Sequence, residues 1–159
     1  MLDYYHDTRG NLQPAEIHEI TPEKLRQRHV DAFPNSVKRA AIHAGWQRYI
    51  AEFTSEVSPV FKQWIGGSFA TKKEDPGDID VVNFVPHEEY TSAVNRFDAS
   101  NGSKDKFMVD GRSLPVYPEG NPGYELSRFQ KAHWLKFFTH DRQGNETGIL
   151  SVEIEDVTP

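Results

Sequence analysis

The order of apolar and polar residues along the chain predicts a mixed α/β protein. Two short apolar runs rich in β-branched residues, at about 60–65 and 79–85, are bounded by Gly, Asp and Pro residues and predict strands. Two further strands are predicted at about 106–110 and 149–154. Helical spacing of apolar residues predicts helices elsewhere. We therefore expect an α+β fold, with a mixed sheet of about four or five strands flanked by helices.

The longest predicted helix runs from about residue 35 to residue 57. Asn35-Ser36 provides a typical helix start. The apolar positions along this segment keep helical spacing and form one stripe, which is expected to cover the sheet. The stripe consists of Val37, Ala41, Ala44, Tyr49, Ile50, Phe53 and Val57.

Three other helices are predicted. Thr21-Pro22-Glu23 begins the first, because Thr caps a helix start and Pro fits the first turn. The second covers about 87–97, directly after Pro86. The third covers about 124–139. One side of this helix is expected to contain Leu126, Phe129, His133 and Phe137.

The remaining segments are expected to be irregular. Residues 1 to about 20 are polar and mixed, which predicts an N-terminal arm that wraps the surface. A loop is predicted at 98–105, and the stretch 111–123, with three prolines, is predicted to be a loop or an edge segment. We find no internal repeat, so residues 1–159 are expected to form a single domain.

Composition and charge narrow the functional classes. A net charge of −6 argues against broad binding of nucleic acid, which usually leaves a basic surface. The chain has no Cys, which excludes disulfides and thiolate metal sites and fits a reducing compartment. Neither a signal-like start nor an apolar run of about eighteen residues is present. We therefore expect a soluble, cytoplasmic protein without a membrane partner.

Candidate chemistry lies around the first two predicted strands. Gly67-Ser68 follows one strand, and Asp78 and Asp80 lie at the start of the next. Successive strand residues face opposite ways, so the two aspartates project to one side while Ile79 and Val81 project toward a core. Two carboxylates on one face repel each other unless a cation lies between them. Because Mg²⁺ binds carboxylates together with phosphate oxygens, the segment predicts a metal and triphosphate site.

These residues resemble the signature of the polymerase-β-type nucleotidyltransferase superfamily, including its minimal members. That signature begins with a hydrophobic residue, a Gly, and then a Gly or Ser. It continues further along the chain with the pattern Asp-hydrophobic-Asp/Glu-hydrophobic. Here Gly67-Ser68 precedes Asp78-Ile79-Asp80-Val81. The longer pattern Gly-Ser-Phe-x-Thr-x-Lys-x-x-Pro-x-Asp-x-Asp over 67–80 is similar to small bacterial and phage proteins of unassigned function that are classed as nucleotidyltransferase-like. The likeness to that group extends through 133–153, although only the motif is specific.

The resemblance implies metal-dependent transfer of a nucleoside monophosphate from an NTP. Asp78 and Asp80 would bind Mg²⁺ or Mn²⁺. In the superfamily a third acidic residue on a neighbouring strand joins the site and takes or orients the proton of the attacking hydroxyl. Asp110 is the best placed residue for this role, and Asp105 is the alternative. Asp110 also has a purely structural interpretation, because Asp-Gly is common in turns.

Phosphate-binding residues are expected around the Gly-Ser turn. Gly67 allows the backbone to approach phosphates without a Cβ clash, and Ser68 offers a hydroxyl to the β- or γ-phosphate. Lys72 and Lys73 are expected to neutralise the leaving pyrophosphate, Lys73 in particular because it matches the lysine of the pattern. The alternative for both lysines is a solvated loop charge.

Other conspicuous side chains are expected to be structural. The seven histidines form no HxxH or HExxH pair, and His133 is expected to be a half-buried residue of its helix rather than a metal ligand. Four aromatic residues are expected to belong to the core rather than to stack on a base. They are Trp64, Trp134, Phe137 and Phe138.

Two functions remain open from the sequence. The first is an active nucleotidyltransferase that modifies a hydroxyl of a protein or of RNA. Small size and acidic charge favour a protein acceptor, because RNA-extending members of the superfamily usually carry added basic domains. The second is a binding module of the same fold, an antitoxin or defence regulator of a partner toxin with weak or absent catalysis, since small members often work in toxin–antitoxin pairs.

Overall fold

The computed structural model of the protein describes residues 4–155, which contain two sheets. The strands are β1 (Tyr5–His6), β2 (Leu12–Gln13), β3 (Ile17–Glu19), β4 (Val60–Gly66), β5 (Ile79–Pro86), β6 (Val109–Val116) and β7 (Ile149–Glu155). β1 and β2 form a small antiparallel hairpin. The other five strands form one sheet in the order β3-β7-β4-β5-β6. The expected mixed sheet flanked by helices is confirmed.

Pairing within the large sheet is partly parallel and partly antiparallel. β4 lies antiparallel to both β5 and β7, whereas β3 pairs parallel with β7 and β5 pairs parallel with β6. The strands predicted at 60–65, 79–85 and 149–154 are confirmed, each one residue longer than expected. From Val81 to Val85, β5 is buried throughout, because helices cover both faces of the sheet and leave no face for water.

Among residues 4–155, four α-helices surround the sheet. They are α1 (Pro22–Arg26), α2 (Arg39–Glu56), α3 (Ser103–Phe107) and α4 (Tyr124–Phe138). Thr21 caps α1 as predicted, since its hydroxyl accepts a hydrogen bond from the backbone N–H of Lys24. A π-helical turn, Gln27–Asp31, continues from α1. No helix among residues 4–155 is both long and apolar enough to cross a membrane.

α2 covers one face of the sheet, but its buried face differs from the predicted stripe. Val37 is 78% exposed, and Ala41 and Ala44 are also exposed, so the prediction was wrong at these positions. The backbone at Gly45 lies so close to the carbonyl oxygen of Phe107 that a Cβ there would overlap it. Gly45 belongs to the buried face of α2, which also contains Arg39, Ile42, His43, Trp46, Tyr49 and Phe53.

α4 covers the opposite face through Trp134, Leu135 and Phe138, which pack against Trp64 in a second apolar cluster. The predicted helix at 124–139 is therefore confirmed to within one residue. Its predicted apolar side is the exposed one. Phe137, expected in the core, is 62% exposed, and His133, expected to be half-buried, is also exposed. The sheet makes its contacts with the other side of α4, which local spacing cannot reveal.

Two other predicted elements differ in the structure. Residues 87–97 form two 3₁₀ turns, His87–Glu89 and Ser92–Phe97, because the Thr91 hydroxyl binds the N–H of Ala93 and starts a new turn. The strand predicted at 106–110 starts only at Val109, after α3 and a left-handed residue at Met108. β6 then extends into the proline-rich stretch as far as Val116, and its edge position tolerates Pro115.

The N-terminal segment is more integrated than a surface arm. Met1–Asp3 lie outside the described residues. Tyr4 and Leu12 are buried, and β3 adds an edge strand to the large sheet beside β7. Short strands of two or three residues carry too little pattern to be predicted from the sequence.

Candidate functional site

Three aspartates meet at one end of the large sheet. Asp80 in β5 and Asp110 in β6 are direct partners in the parallel register, so their side chains leave the sheet on the same face. Asp78 lies two residues before Asp80 and projects the same way. One carboxylate oxygen from each residue lies within 4.8 Å of the others. Asp110 therefore lies on the strand beside Asp80, as expected, and we call these three residues the acidic trio.

The Gly-Ser turn lies directly against this trio. Gly66, the last residue of β4, is the register partner of Asp80. Gly67 has a φ of +69°, and a Cβ built on it would lie 2.8 Å from Cγ of Asp80. No other residue type fits there without moving the carboxylate. Ser68 then begins a 3₁₀ turn that ends at Ala70, and its hydroxyl makes no hydrogen bond with residues 4–155, so it is free to bind a ligand.

Burial and neighbouring negative charge both perturb the pKa of Asp80. Burial, and then the neighbouring carboxylates of Asp78 and Asp110, raise the pKa of Asp80 to about 7. Lys104 offsets part of this charge, since its Nζ lies 3.2 Å from Oδ2 of Asp78 and 4.0 Å from Oδ2 of Asp110. The Asp78 carboxylate in turn raises the pKa of Lys104. The trio is therefore a site of excess negative charge with one cation at its rim.

Sequence reasoning missed Lys104 and favoured Lys72 and Lys73. Within residues 4–155, neither of those lysines forms an ion pair with the trio. The backbone N–H of Lys72 donates to the carbonyl of Gly10, and the Lys73 carbonyl accepts from Arg39. Lys104 lies on α3, where a loop was predicted up to residue 105 and a strand from residue 106, and its Nζ lies 4.0 Å from Oδ2 of Asp110. Asp105, the alternative third carboxylate, is exposed on the same helix and lies outside the trio.

A buried arginine organises the loop that joins the Gly-Ser turn to Asp78. Arg39 is fully buried, and its guanidinium donates hydrogen bonds to the carbonyls of Phe69, Thr71 and Lys73 at 2.6–3.2 Å, as well as to that of His29. Burial lowers the pKa of Arg39 to about 10, so it stays charged at neutral pH. An arginine at the start of a helix usually faces solvent, and sequence reasoning gave it no role.

The other end of the loop is fastened to the start of α2. One carboxylate oxygen of Asp75 accepts hydrogen bonds from the Ser36 hydroxyl and from the N–H groups of Val37 and Lys38. The Ser36 hydroxyl bond, the largest cause, lowers the pKa of Asp75. Arg39 and Asp75 thus hold the loop at several points, and the loop in turn positions the Gly-Ser turn relative to the trio.

A buried polar network supports the strand that carries Asp110. Trp46 Nε1 donates to Gln63, Gln63 donates to Asn83, and Asn83 donates to the hydroxyl of Tyr49, with distances of 2.7, 2.7 and 2.8 Å. The Tyr49 hydroxyl lies so close to Gly111 that a Cβ at this position would overlap it. Because the network links α2, β4 and β5, it fixes where β6 lies and hence where Asp110 points.

The trio suits a divalent cation. It is the one group of three metal-ligating side chains within residues 4–155 whose ligand atoms lie close enough to share an ion. Carboxylate oxygens are the ligands that Mg²⁺ and Mn²⁺ prefer. Three carboxylates lie against a single lysine, Lys104, so the site carries more negative charge than this lysine neutralises. The donor set therefore fits a hard metal ion.

Fold and site together define an α+β protein with a three-aspartate cluster at the end of a mixed sheet, next to a Gly-Ser turn. Residues 5–153 match the model of a family of unknown function, DUF6932, and the chain belongs to this family. No curated protein and no solved structure matches the chain.

Proposed function

We propose that this protein is a metal-dependent nucleotidyltransferase, which moves a nucleoside monophosphate from an NTP onto a hydroxyl group of a protein. One observation carries the proposal: carboxylate oxygens of Asp78, Asp80 and Asp110 lie within 4.8 Å of one another, directly beside Gly67. This arrangement joins the two halves of the sequence motif that resembles the polymerase-β-type superfamily.

Each residue of the site has a role in this proposal. Asp78, Asp80 and Asp110 would hold Mg²⁺ or Mn²⁺, which neutralises triphosphate charge when bound. Gly67 and Ser68 bind phosphate oxygens through the turn, with the Ser68 hydroxyl as a donor. Lys104 is the lysine that contacts the trio, so we assign to it the neutralisation of phosphate charge that the sequence suggested for Lys72 and Lys73.

The reaction is a displacement at the α-phosphorus. The acceptor oxygen forms a bond to this phosphorus, the bond to the bridging oxygen breaks, and pyrophosphate leaves with the electron pair. Asp110 takes or orients the proton of the acceptor hydroxyl. Most of the rate enhancement would come from positioning and from charge stabilisation.

Charge favours a protein acceptor over RNA. The chain has 24 acidic residues against 18 Lys and Arg, which gives a net charge of −6. A polyanion would be repelled by such a surface unless a local basic strip received it. A hydroxyl of Tyr, Ser or Thr on a partner protein carries no negative charge, so the acidic surface would not repel it.

A binding module without catalysis, such as an antitoxin or regulator, is the second candidate. The observation in its favour is the ion pair of 3.2 Å between Lys104 and Asp78. A lysine at this position neutralises part of the carboxylate charge without a metal, so the site has a stable form that needs no cofactor.

Nucleotide binding and transfer can be tested separately. Isothermal titration calorimetry with ATP, CTP, GTP and UTP should show binding in Mg²⁺ and much weaker binding in EDTA. Incubation with each α-³²P-labelled NTP, total tRNA and cell lysate should label a protein band. Asp80→Asn should abolish the label, whereas the exposed Asp105→Asn should retain it.

The outcomes separate the two candidates. Metal-dependent binding of a nucleotide without transfer of label would support the binding module. Equal affinity in EDTA would argue against the metal site, and label only on tRNA would overturn the protein acceptor.

A further inference from the structure

An unpaired apolar stripe runs along the outer side of α4. Leu126, Phe129 and Phe137 are 54%, 73% and 62% exposed, and His133 lies exposed between them. Their spacing of three and four residues places all four on one line along the helix. The opposite side of α4 packs on the sheet through Trp134, Leu135 and Phe138, so no other part of residues 4–155 covers this stripe.

Such a stripe usually marks a contact surface. Single exposed apolar residues are common on proteins, but contiguous apolar groups with polar neighbours mark interaction sites. Phe129 and Phe137 are also the most exposed phenylalanines among residues 4–155. The partner that fits this stripe can be inferred from the charges beside it.

We propose that α4 of a second copy of this chain covers the stripe, with the two helices antiparallel. Glu125 and Lys136 flank the stripe on the same side, one near each of its ends. In an antiparallel pair, like flanks meet. Glu125 then faces the partner's Lys136, and Lys136 faces the partner's Glu125.

The apolar residues obey the same two-fold relation. Leu126 faces the partner's Phe137, and Phe129 faces the partner's His133, because the midpoint of each pair falls within half a residue of the middle of α4. In a parallel pair opposite flanks would meet, so Glu125 and Lys136 would face neither each other nor their own counterparts, and both charge pairs would be lost. A two-fold dimer requires a surface patch that is complementary to the same patch on its symmetry mate.

Both charged residues are free to make these contacts. Lys136 forms no ion pair with residues 4–155, and Glu125 pairs only with Arg128, at 3.4 Å, where both side chains are largely exposed. Exposed pairs of this kind contribute little and rearrange easily. α4 has 15 residues and is about 22 Å long, so a helix pair buries less surface than a standard interface. We therefore expect a reversible dimer whose population depends on concentration.

Sedimentation velocity of the full chain over a wide concentration range tests this inference. The wild type should shift from monomer to dimer. Phe129→Lys should weaken the dimer by about tenfold or more, because it places a charge in the centre of the apolar contact. Val37→Lys is the matched control, because Val37 is 78% exposed but lies outside α4, and it should dimerise like the wild type.

A charge exchange tests the antiparallel arrangement. Glu125→Lys and Lys136→Glu alone should each weaken the dimer by about two- to fivefold, since each leaves like charges in contact. The double variant re-forms both pairs with reversed signs and should recover wild-type affinity. Circular dichroism would verify that every variant keeps its helices.

Three results would overturn the proposal. The first is a monomer at every concentration, which would leave the stripe to a different protein or to another ligand. The second is a dimer that Phe129→Lys does not weaken, and the third is a double variant no tighter than the single ones. None of these results depends on whether the acidic trio binds nucleotides.

Discussion

Gly67 and Asp80 occupy adjoining space at the end of the sheet. A Cβ on Gly67 would lie 2.8 Å from Cγ of Asp80 and would overlap one of its carboxylate oxygens. The backbone at Gly67 also has a φ of +69°, which is left-handed. Conformation and space both demand glycine here, and the residue couples the Gly-Ser turn to the acidic trio.

Gly67→Ala should therefore disturb both the fold and the site. We expect a loss of about 1–3 kcal/mol in the free energy of unfolding, because the new methyl group forces the carboxylate or the turn to move. Urea denaturation would measure it. Gly77→Ala is the control from the same loop, since no heavy atom lies within 4 Å of its added Cβ, and its effect should stay within about 0.5 kcal/mol. Equal effects of the two variants would contradict the close contact.

Asp80→Asn should stabilise the protein above neutral pH. The pKa of Asp80 is raised from 3.8 to about 7. Between about pH 4 and 7 the Asp80 carboxyl group is therefore protonated in the folded state but ionised in the unfolded state. Wild-type stability should consequently fall as the pH rises through this window. At pH 8 the asparagine variant should be more stable than the wild type by on the order of 2 kcal/mol, and near pH 4 the difference should nearly vanish.

Urea denaturation at the two pH values, in the presence of a chelator, would measure this effect. Asp105→Asn, which removes an exposed carboxylate outside the trio, should show no such dependence. A variant less stable than the wild type at pH 8 would mean that Asp80 supports the fold instead.

Arg39→Lys should destabilise the loop beside the site. The guanidinium donates to four backbone carbonyls, those of His29, Phe69, Thr71 and Lys73, and an ammonium group cannot reach them all. We expect a cost of roughly 3 kcal/mol or more, because buried carbonyls lose their partners. Thermal unfolding would report the loss of stability.

Limited proteolysis would show whether the loss is local, since cleavage should increase between residues 69 and 75. Arg48→Lys is the control, because Arg48 donates one hydrogen bond, to the exposed Lys106 carbonyl. Equal melting temperatures for the Arg39→Lys and Arg48→Lys variants would show that the Arg39 hydrogen bonds contribute little to stability.

His29 should make the protein sensitive to acid. It is fully buried, and its Nε2 lies 2.9 Å from the Tyr4 hydroxyl. Burial, and then the positive charges of His6 and Arg39, lower the pKa of His29 from 6.5 to about 3. Below pH 6.5 the His29 side chain is therefore protonated in the unfolded state but remains neutral in the folded state. Stability should fall by up to about 1.4 kcal/mol per pH unit from this group as the pH drops.

His29→Gln removes this titration while keeping a polar side chain. Between pH 6.5 and 4 the variant should lose less stability than the wild type, as measured by urea denaturation. The exposed His133→Gln should follow the wild-type curve. Parallel curves for His29→Gln and the wild type would show that other groups cause the acid sensitivity.

The sequence by itself determined the parts of the protein that depend on local pattern. The central strands β4, β5 and β7 were predicted to within one residue, since continuous apolar runs between turn residues leave few alternatives. Alternation along β5 also placed Asp78 and Asp80 on one face. Even the position of Asp110 beside Asp80 was expected, although that expectation came from a resemblance rather than from spacing.

Tertiary structure alone decided which side of each helix is buried and which cations meet the trio. Arg39 is buried where it donates to four carbonyls from distant parts of the chain. Lys104 lies 3.2 Å from Asp78 because α3 packs at the end of the sheet that carries the trio. The apolar stripe of α4 faces outward because the sheet packs against the other side. Periodicity records how residues are spaced along one element, whereas burial depends on which elements pack together, and only the folded chain contains that information.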